Sequence, residues 1–357
     1  MKNFISAAAM LAASTSLASA GGIDRSGQFV RALFEEGGET GAYAEFSFGA
    51  VSAGASSAGL PVDPLKSYSQ YGFAFKQDIN EKLSFGIIID QPIGAAVDYR
   101  PFPFAFGISG FALVESTAVT ALARYKFNDN FSVHGGIRFQ DLGGQIQTFV
   151  GGVSPANLTA SSDFGVGFVV GAAYERPDIA MRFALTYSSE IDVDLEGTEV
   201  ALATATASPT AFTATIPASL NLEFQTGIAK DTLLFGSIRY VEWEGFNLTT
   251  PGQGQYVNFR DDSITYSLGI GRRFNENWSG AVTLGFEEPG TRPGNTLLNP
   301  KTGQKSIGLG VTYTNGNTKV TGGVTYAELG SQNFTATGLN FNDNSAIGAG
   351  LRVGFNF

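Results

Sequence analysis

Cysteine is absent from the chain, which removes disulfide frameworks, thiolate nucleophiles and cysteine-metal sites together. Histidine occurs once, at His134, so zinc and copper clusters have no ligand set and no metal or other cofactor is expected. Basic residues are few: 22 Lys and Arg against 32 Asp and Glu leave a formal charge of −10, the wrong sign for a nucleic-acid partner. Charged residues make up only 15 % of the 357, beside 46 glycines and 30 phenylalanines. Disorder needs high net charge and few aromatics, so this composition excludes it. Long apolar runs are missing as well: each is broken by Gly, Asn, Asp or Arg well short of the ~20 residues that a membrane helix requires.

What is present begins with an address. Met1-Lys2-Asn3 supplies a small positive start, Phe4 to Leu17 is apolar or small, and Ala18-Ser19-Ala20 offers the A-x-A pattern of signal-peptidase cleavage. Residues 1–20 are therefore expected to be a signal peptide, with export across the inner membrane as its consequence.

The body alternates with period two. At the C-terminus Ile347, Ala349, Leu351, Val353, Phe355 and Phe357 share one face, while Ala346, Gly348, Gly350, Arg352, Gly354 and Asn356 share the other. The pattern recurs at Ile307-Leu309-Val311-Tyr313, Ile264-Tyr266-Leu268-Ile270, Phe164-Val166-Phe168-Val170, Leu83-Phe85-Ile87-Ile89 and several further segments. A soluble sandwich also alternates, but its wet face is usually rich in Lys and Glu. Here that face is Gly, Ser, Thr and Ala with isolated charges, as suits a lumen enclosed by a lipid-facing wall. Aromatics near segment ends (Tyr125, Phe127, Tyr174, Phe274, Trp278, Tyr313) fit interfacial girdles.

Connections alternate too. Tight polar turns at Gln77–Glu81, Asn128–Asn130, Glu175–Asp178, Lys230–Asp231, Asn275–Asn277 and Asn315–Asn317 are separated by long segments near 50–66, 92–112, 147–162, 190–214, 248–262, 288–304 and 330–343. Short turns on one side and long loops on the other belong to an outer-membrane barrel, and the runs number about fourteen. The fold expected is all-β: a transmembrane antiparallel β-barrel of about 14 strands, located in the outer membrane and monomeric. Its final strand, ending at Phe357, looks like the signal read by the barrel insertion machinery. Outer-membrane lipids and lipopolysaccharide would surround it.

Ile216-Pro217-Ala218-Ser219-Leu220-Asn221-Leu222 followed by Arg239-Tyr240-Val241-Glu242-Trp243 resembles the Pro-led strand, tight turn and Trp-bearing return strand of the FadL/TodX family of outer-membrane hydrophobe transporters. Asn258–Asp262, Tyr266–Gly269, Asn277-Trp278, the proline-containing stretch Glu287–Pro300 and Leu83–Gly94 follow in the family's order. Members usually open with a longer plug containing Asn-Pro-Ala, a tripeptide this sequence lacks. The resemblance thus implies a shortened plug over 21–40, with Phe29, Leu33 and Phe34 in the barrel mouth and the barrel itself over 41–357. It also implies a kinked third strand that opens the wall sideways, for which Asp90, Gln91 and Pro92 are the candidates; a strand simply ending at proline is the alternative.

A carrier of hydrophobes needs a greasy landing surface and an apolar cavity with a few polar anchors. The 92–114 loop offers Tyr99, Phe102, Phe104, Phe106, Ile108, Phe111, Leu113 and Val114, either as that surface or packed on neighbouring loops. Strand parity points Arg124, His134, Arg138, Arg239 and Arg352 inward. Reflection across Asn128–Asn130 sets Arg124 opposite His134. Arg124, His134 and Arg138 either bind an anionic ligand or brace the wall, whereas Arg239 is expected to brace it against Glu223. Lone His134 has no serine spaced to make a triad, so no enzyme is expected. Asp192, Asp194, Glu196, Asp261 and Asp262 form no complete calcium loop and read as solvated acids. The expected function is passive uptake of hydrophobic molecules, long-chain fatty acids first and aromatic hydrocarbons second, with a general aqueous porin and a surface adhesin as rivals.

Overall fold

Period-two segments whose apolar face is Phe, Ile, Leu and Val cannot bury that face in a barrel full of glycine and serine, so they must turn it outward. The computed structural model describes residues 23–58, 63–100, 110–150, 154–291, 296–334 and 338–357; the expected signal peptide lies outside them. Strands are numbered in chain order. Fourteen close into an antiparallel barrel: β1 (Ala42–Gly54), β2 (Tyr68–Asp78), β3 (Leu83–Asp90), β6 (Ala118–Lys126), β7 (Phe131–Gln140), β10 (Gly165–Arg176), β11 (Met181–Ser188), β14 (Ser219–Ala229), β15 (Thr232–Val241), β18 (Ser263–Arg273), β19 (Trp278–Glu287), β20 (Gln304–Asn315), β21 (Thr318–Leu329) and β24 (Asn344–Asn356). Closure is made by β1 on β24, in register from Tyr43 opposite Asn356 to Gly54 opposite Ser345. Among the described residues there is no α-helix, only 3-10 turns.

The outer face is the apolar one. Phe46, Phe48, Phe85, Ile137, Phe168, Leu185, Leu284, Leu309 and Leu351 are all exposed there, which lipid, not water, can satisfy. Near the short-turn end, aromatic pairs ring the wall: Phe131 with Tyr174 and Trp278 with Tyr313, each at 4.9 Å between centroids, and Tyr125 with Phe127 at 5.4 Å. Three short turns use one device. Asn80, Asn128 and Asn275 each accept, through the side-chain oxygen, the backbone N–H groups two and three residues on. These ends are periplasmic by the length rule.

The long connections are not loops. They fold into β4 (Gly94–Asp98), β5 (Phe111–Glu115), β8 (Gly143–Val150), β9 (Ser154–Ser162), β12 (Ile191–Ala201) and β13 (Thr206–Ile216), which pair as one six-stranded sheet in the order β13-β12-β9-β8-β5-β4. Two smaller hairpins, β16 (Asn247–Thr250) with β17 (Gly254–Asn258) and β22 (Gln332–Phe334) with β23 (Leu339–Phe341), complete the extracellular end. On β12, Ile191, Val193 and Leu195 point down, into a core with Ile146, Leu158, Ile216, Trp243, Phe246 and Leu298. Asp192 and Asp194 point up and accept from Thr215 and Thr213 at 2.6 and 2.7 Å. The outer face therefore is solvated and acidic, as read from the sequence, but on a strand.

Leu284→Arg, near the middle of β19, is predicted to cost about 2–4 kcal/mol on unfolding from lipid by denaturant. Ser306→Arg, inside on β20, should cost far less. Equal costs would mean that the two faces are assigned wrongly.

Candidate functional site

Residues 23–35 run down the lumen from the extracellular end to the periplasmic mouth, and polar side chains on at least seven strands contact them. Asp24 accepts from Arg239 Nε at 2.6 Å with both groups buried. Arg239 also donates to Asn221 at 2.9 Å and to the Gly27 carbonyl at 3.3 Å, and Asn221 donates to that carbonyl at 2.7 Å. Arg138 donates to Gln28 at 2.5 Å, to Thr120 at 3.0 Å and to Ser188 at 3.3 Å. Ser26 donates to Asp90 at 2.6 Å, while the Pro92 carbonyl accepts from the backbone N–H of Arg25 at 2.6 Å. Lower down, the 3-10 turn Arg31–Phe34 buries Leu33, with Val30 before it, against Leu122 and Val169. The Phe34 ring carries the guanidinium of Arg124 at 4.3 Å and that of Arg182 at 4.6 Å, and meets His134 edge-on at 5.7 Å. Lys76 then donates to the Glu35 carbonyl at 3.0 Å.

Arg124 and His134 are opposite one another, as the turn reflection requires. They do not face open space together: Arg124 is ion-paired to Glu175, and His134 meets Thr186 at 2.9 Å. Arg138 braces Gln28. All three thus serve the wall and the segment that crosses it. Arg239 corrects an expectation. The hairpin turns between Lys230 and Asp231, not on Asp231, and a register shift between Gly227 and Ala229 moves the pairing one residue further, so Asn221 faces Arg239 and Glu223 faces Ser237. The carboxylate for Arg239 comes from Asp24, distant in sequence and invisible to any reflection.

Four cavities among the described residues lie around this segment. An apolar one of about 40 Å³ sits beneath the extracellular sheet among Ile23, Val114, Ile146, Phe246, Phe259 and Leu298. It shares Ile23, Ala95, Leu298 and Asn299 with a second of about 60 Å³, whose aliphatic lining (Val51, Leu65, Val97, Leu329) is edged by Arg25, Lys66 and Lys301, with no carboxylate among the described residues that line it. Arg25 lies over the Tyr68 ring at 4.1 Å and against Gly94, where an added Cβ would come within 2.4 Å of the guanidinium. Burial lowers the Lys301 ammonium to about 8 in spite of Glu287 nearby. A third cavity of about 130 Å³ follows Ser26–Phe29 to β1, β2 and β3. A fourth, of about 170 Å³, lies on the opposite side against β14–β21.

The third cavity meets the wall where pairing stops. β2 pairs with β3 only from Phe73 opposite Ile89 to Asp78 opposite Ser84, although β2 itself starts at Tyr68. Beyond Asp90 the ladder is replaced by side chains: Gln91 Oε1 accepts from the Tyr71 N–H at 3.0 Å, and Gln70 donates to the Gln91 carbonyl at 3.1 Å. Asp90, Gln91 and Pro92 thus mark an interruption that is tied directly to residues 25 and 26.

The supposed landing surface is changed most. Tyr99 and Phe111 are buried, not displayed. Tyr99 donates to the Leu297 carbonyl at 2.7 Å and lies 6.4 Å from Phe341; Arg100 covers Phe111 at 4.0 Å. Leu113 is exposed, while Phe102, Phe104, Phe106 and Ile108 lie outside the described residues. Phe29, Leu33 and Phe34 lie in the lumen, Phe29 on a cavity wall and Leu33 buried. Sequence reading missed Lys301 and the Trp243–Phe246–Phe259 cluster, whose rings are 5.3–5.4 Å apart.

Residues 71–356 match the family model described as outer membrane protein transport protein (OMPP1/FadL/TodX). A long-chain fatty acid transport protein of Salmonella typhi is 20 % identical over 296 residues, which is 71 % of this chain and 68 % of the relative. A FadL homologue of Pseudomonas aeruginosa superposes with a TM-score of 0.75 at 15 % identity, covering 98 % of this chain and 99 % of the other. The toluene transporter TodX of Pseudomonas putida superposes at 0.68 with 12 % identity, covering 99 % and 100 %. At these identities the superpositions establish the fold.

Breaking a buried ion pair by removing one partner costs about 3–5 kcal/mol. Arg239→Met is therefore predicted to loosen residues 23–28. A single thiol at Ser26→Cys should then label at least about tenfold faster than in the parent. Unchanged labelling would remove the Asp24–Arg239 pair from any role in holding the segment.

Proposed function

Since the chain belongs to the outer membrane protein transport family (OMPP1/FadL/TodX) and is an outer-membrane transporter of hydrophobic compounds, we propose that its cargo is a long-chain fatty acid taken up by passive diffusion. One observation carries the choice: the cavity at the extracellular end is aliphatic along its walls and edged by Arg25, Lys66 and Lys301, with no acid among the described lining. An acyl chain lowers its free energy by leaving water for such walls, by about 25 cal/mol per Å² of apolar surface. Its carboxylate then meets cations in a site of low dielectric, where their attraction is stronger than in water. A neutral aromatic ring gains the first term alone.

The route follows the cavities. Cargo enters the apolar chamber beneath the extracellular sheet, passes residues 25–28, which act as a short plug, and leaves through the interruption beside Asp90, Gln91 and Pro92 into the bilayer. Two features support the sideways exit. The third cavity is lined both by luminal Gln70 and Asp90 and by outward-facing Phe48, Tyr71 and Phe73. Straight passage to the periplasm is obstructed by Leu33 and Phe34, held by Leu122, Arg124 and Arg182. An open aqueous porin would need that axis clear. Exposed Leu113, with the aromatic stretch that precedes it, is the part of the 92–114 segment left to serve capture.

An aromatic hydrocarbon is the second reading, favoured by the uncharged chamber around Phe246 and Phe259. Uptake of labelled oleate and toluene by cells with and without the protein separates the two. Lys301→Gln should weaken oleate uptake severalfold and spare toluene. Lys301 is cationic below about 8 and neutral above it, so oleate binding to the purified protein should fall as pH rises through that value. Flat oleate binding across that range would take Lys301 out of recognition.

A further inference from the structure

The fourth cavity shares Arg25–Gly27, Phe29 and Arg31 with the cavities of this route but lies against the opposite wall, away from the interruption. Its wall is the luminal face of β18–β21, a strip of Thr265, Ser267, Thr283, Ser306 and Thr325 with intervening glycines. No aliphatic side chain of those strands points into it, so an acyl chain would find hydroxyls where it needs methylenes. Along β20 alone the lining runs from Gln304, the first residue of the strand, to Gly310. The six steps of extended chain between them span about 20 Å, most of the ~25 Å apolar band of a barrel. The slot is long and wettable.

Charge is uneven within it. Arg25, Arg31, Arg182 and Arg239 line the slot against the single carboxylate of Glu223 among the described residues. Arg239 is neutralised by Asp24. Arg31 and Arg182 rest on the rings of Phe29 and Phe34 at 5.5 and 4.6 Å and carry no ion pair among the described residues. Two guanidiniums on the lining of the slot, each backed by a ring, favour a small anion over a cation.

Near the periplasmic end the lining changes character. Leu233 and Phe235 on β15 point inward and pack with Ala281 on β19 and Ala180 of the turn that precedes β11; Leu233, Phe235 and Ala281 are buried. The Phe235 ring lies directly on Gly269 of β18, where an added Cβ would sit 2.4 Å from its carbons. Glycine there lets the ring lie flat on the wall over its cross-strand partner, so that with Leu233 it makes the foot of the slot apolar. An apolar stretch at the foot of a polar cavity stops ions by excluding water.

We propose that this slot is a second, aqueous passage through the barrel, selective for small anions such as chloride or acetate, and closed at its periplasmic end by Phe235 and Leu233. It goes beyond hydrophobe uptake and stands independently of it. The test is conductance of the purified full chain in planar bilayers under a potassium chloride gradient. Phe235→Ser should raise mean conductance at least about tenfold and set a reversal potential on the anion side. Adding Arg182→Glu should move that potential toward cations. A Phe235→Ser barrel that inserts, keeps its heat-dependent mobility on gels and stays as insulating as the parent overturns the proposal. A second test leaves Phe235 in place. The chain has no cysteine, so Thr283→Cys carries the only thiol, above the apolar foot. A negatively charged methanethiosulfonate should modify it severalfold faster than a positively charged one; equal rates, or none, also overturn the proposal.

Discussion

Inside a bilayer each backbone N–H and C=O must find a partner in the protein, because the acyl chains supply none and each omission costs several kcal/mol. Closure of β1 on β24 meets that demand and decides the rest. Once the cylinder is closed, alternate residues have no choice of side. Phe, Leu and Ile meet lipid, and the lumen receives Gly, Ser, Thr and isolated charges. The same demand gives meaning to a place where the ladder fails. Opposite Tyr68–Gly72 the missing partners of β2 are replaced by the amides of Gln70 and Gln91. Side-chain substitutes break more easily than a ladder, and these sit beside a cavity.

A lumen of small residues leaves a wide space, and residues 23–35 divide it. Their anchors are a buried ion pair, two amides and a serine, all of which depend on geometry more than on burial of surface. Such a network holds firmly when complete and fails steeply when one member is lost. It also partitions the interior by chemistry. Beneath the extracellular sheet the space is apolar with a cationic edge; toward β1–β3 it mixes rings with amides and the carboxylates of Glu45 and Asp90; toward β18–β21 it is lined by hydroxyls. One short segment therefore separates surroundings suited to quite different solutes.

Most of the barrel was legible in the sequence, because the bilayer enforces strict alternation: strand number, the inward set of arginines and the facing of Arg124 and His134 all follow from parity and turn position. The extracellular sheet was less so. Ile191-Val193-Leu195 alternates against Asp192-Asp194-Glu196 as clearly as any barrel strand, but such segments between lipid-facing strands read as loops. Tyr99 and Phe111 then look displayed, although the sheet they belong to turns its apolar face down. Contacts distant in the chain were out of reach. Nothing local joins Asp24 to Arg239, and a turn centred between Lys230 and Asp231 together with a register shift at Gly227–Ala229 misplaced the expected partner Glu223.

The central claim is that cargo leaves through the wall between β2 and β3. Extending their register sets position 71 opposite position 91, and the chain has no cysteine of its own to interfere. Cells carrying the double variant Tyr71→Cys, Gln91→Cys would be assayed for labelled oleate uptake, oxidised and then reduced. The account predicts that the disulfide stops uptake and that reductant restores it. Equal uptake in both states, with the disulfide verified, would contradict it.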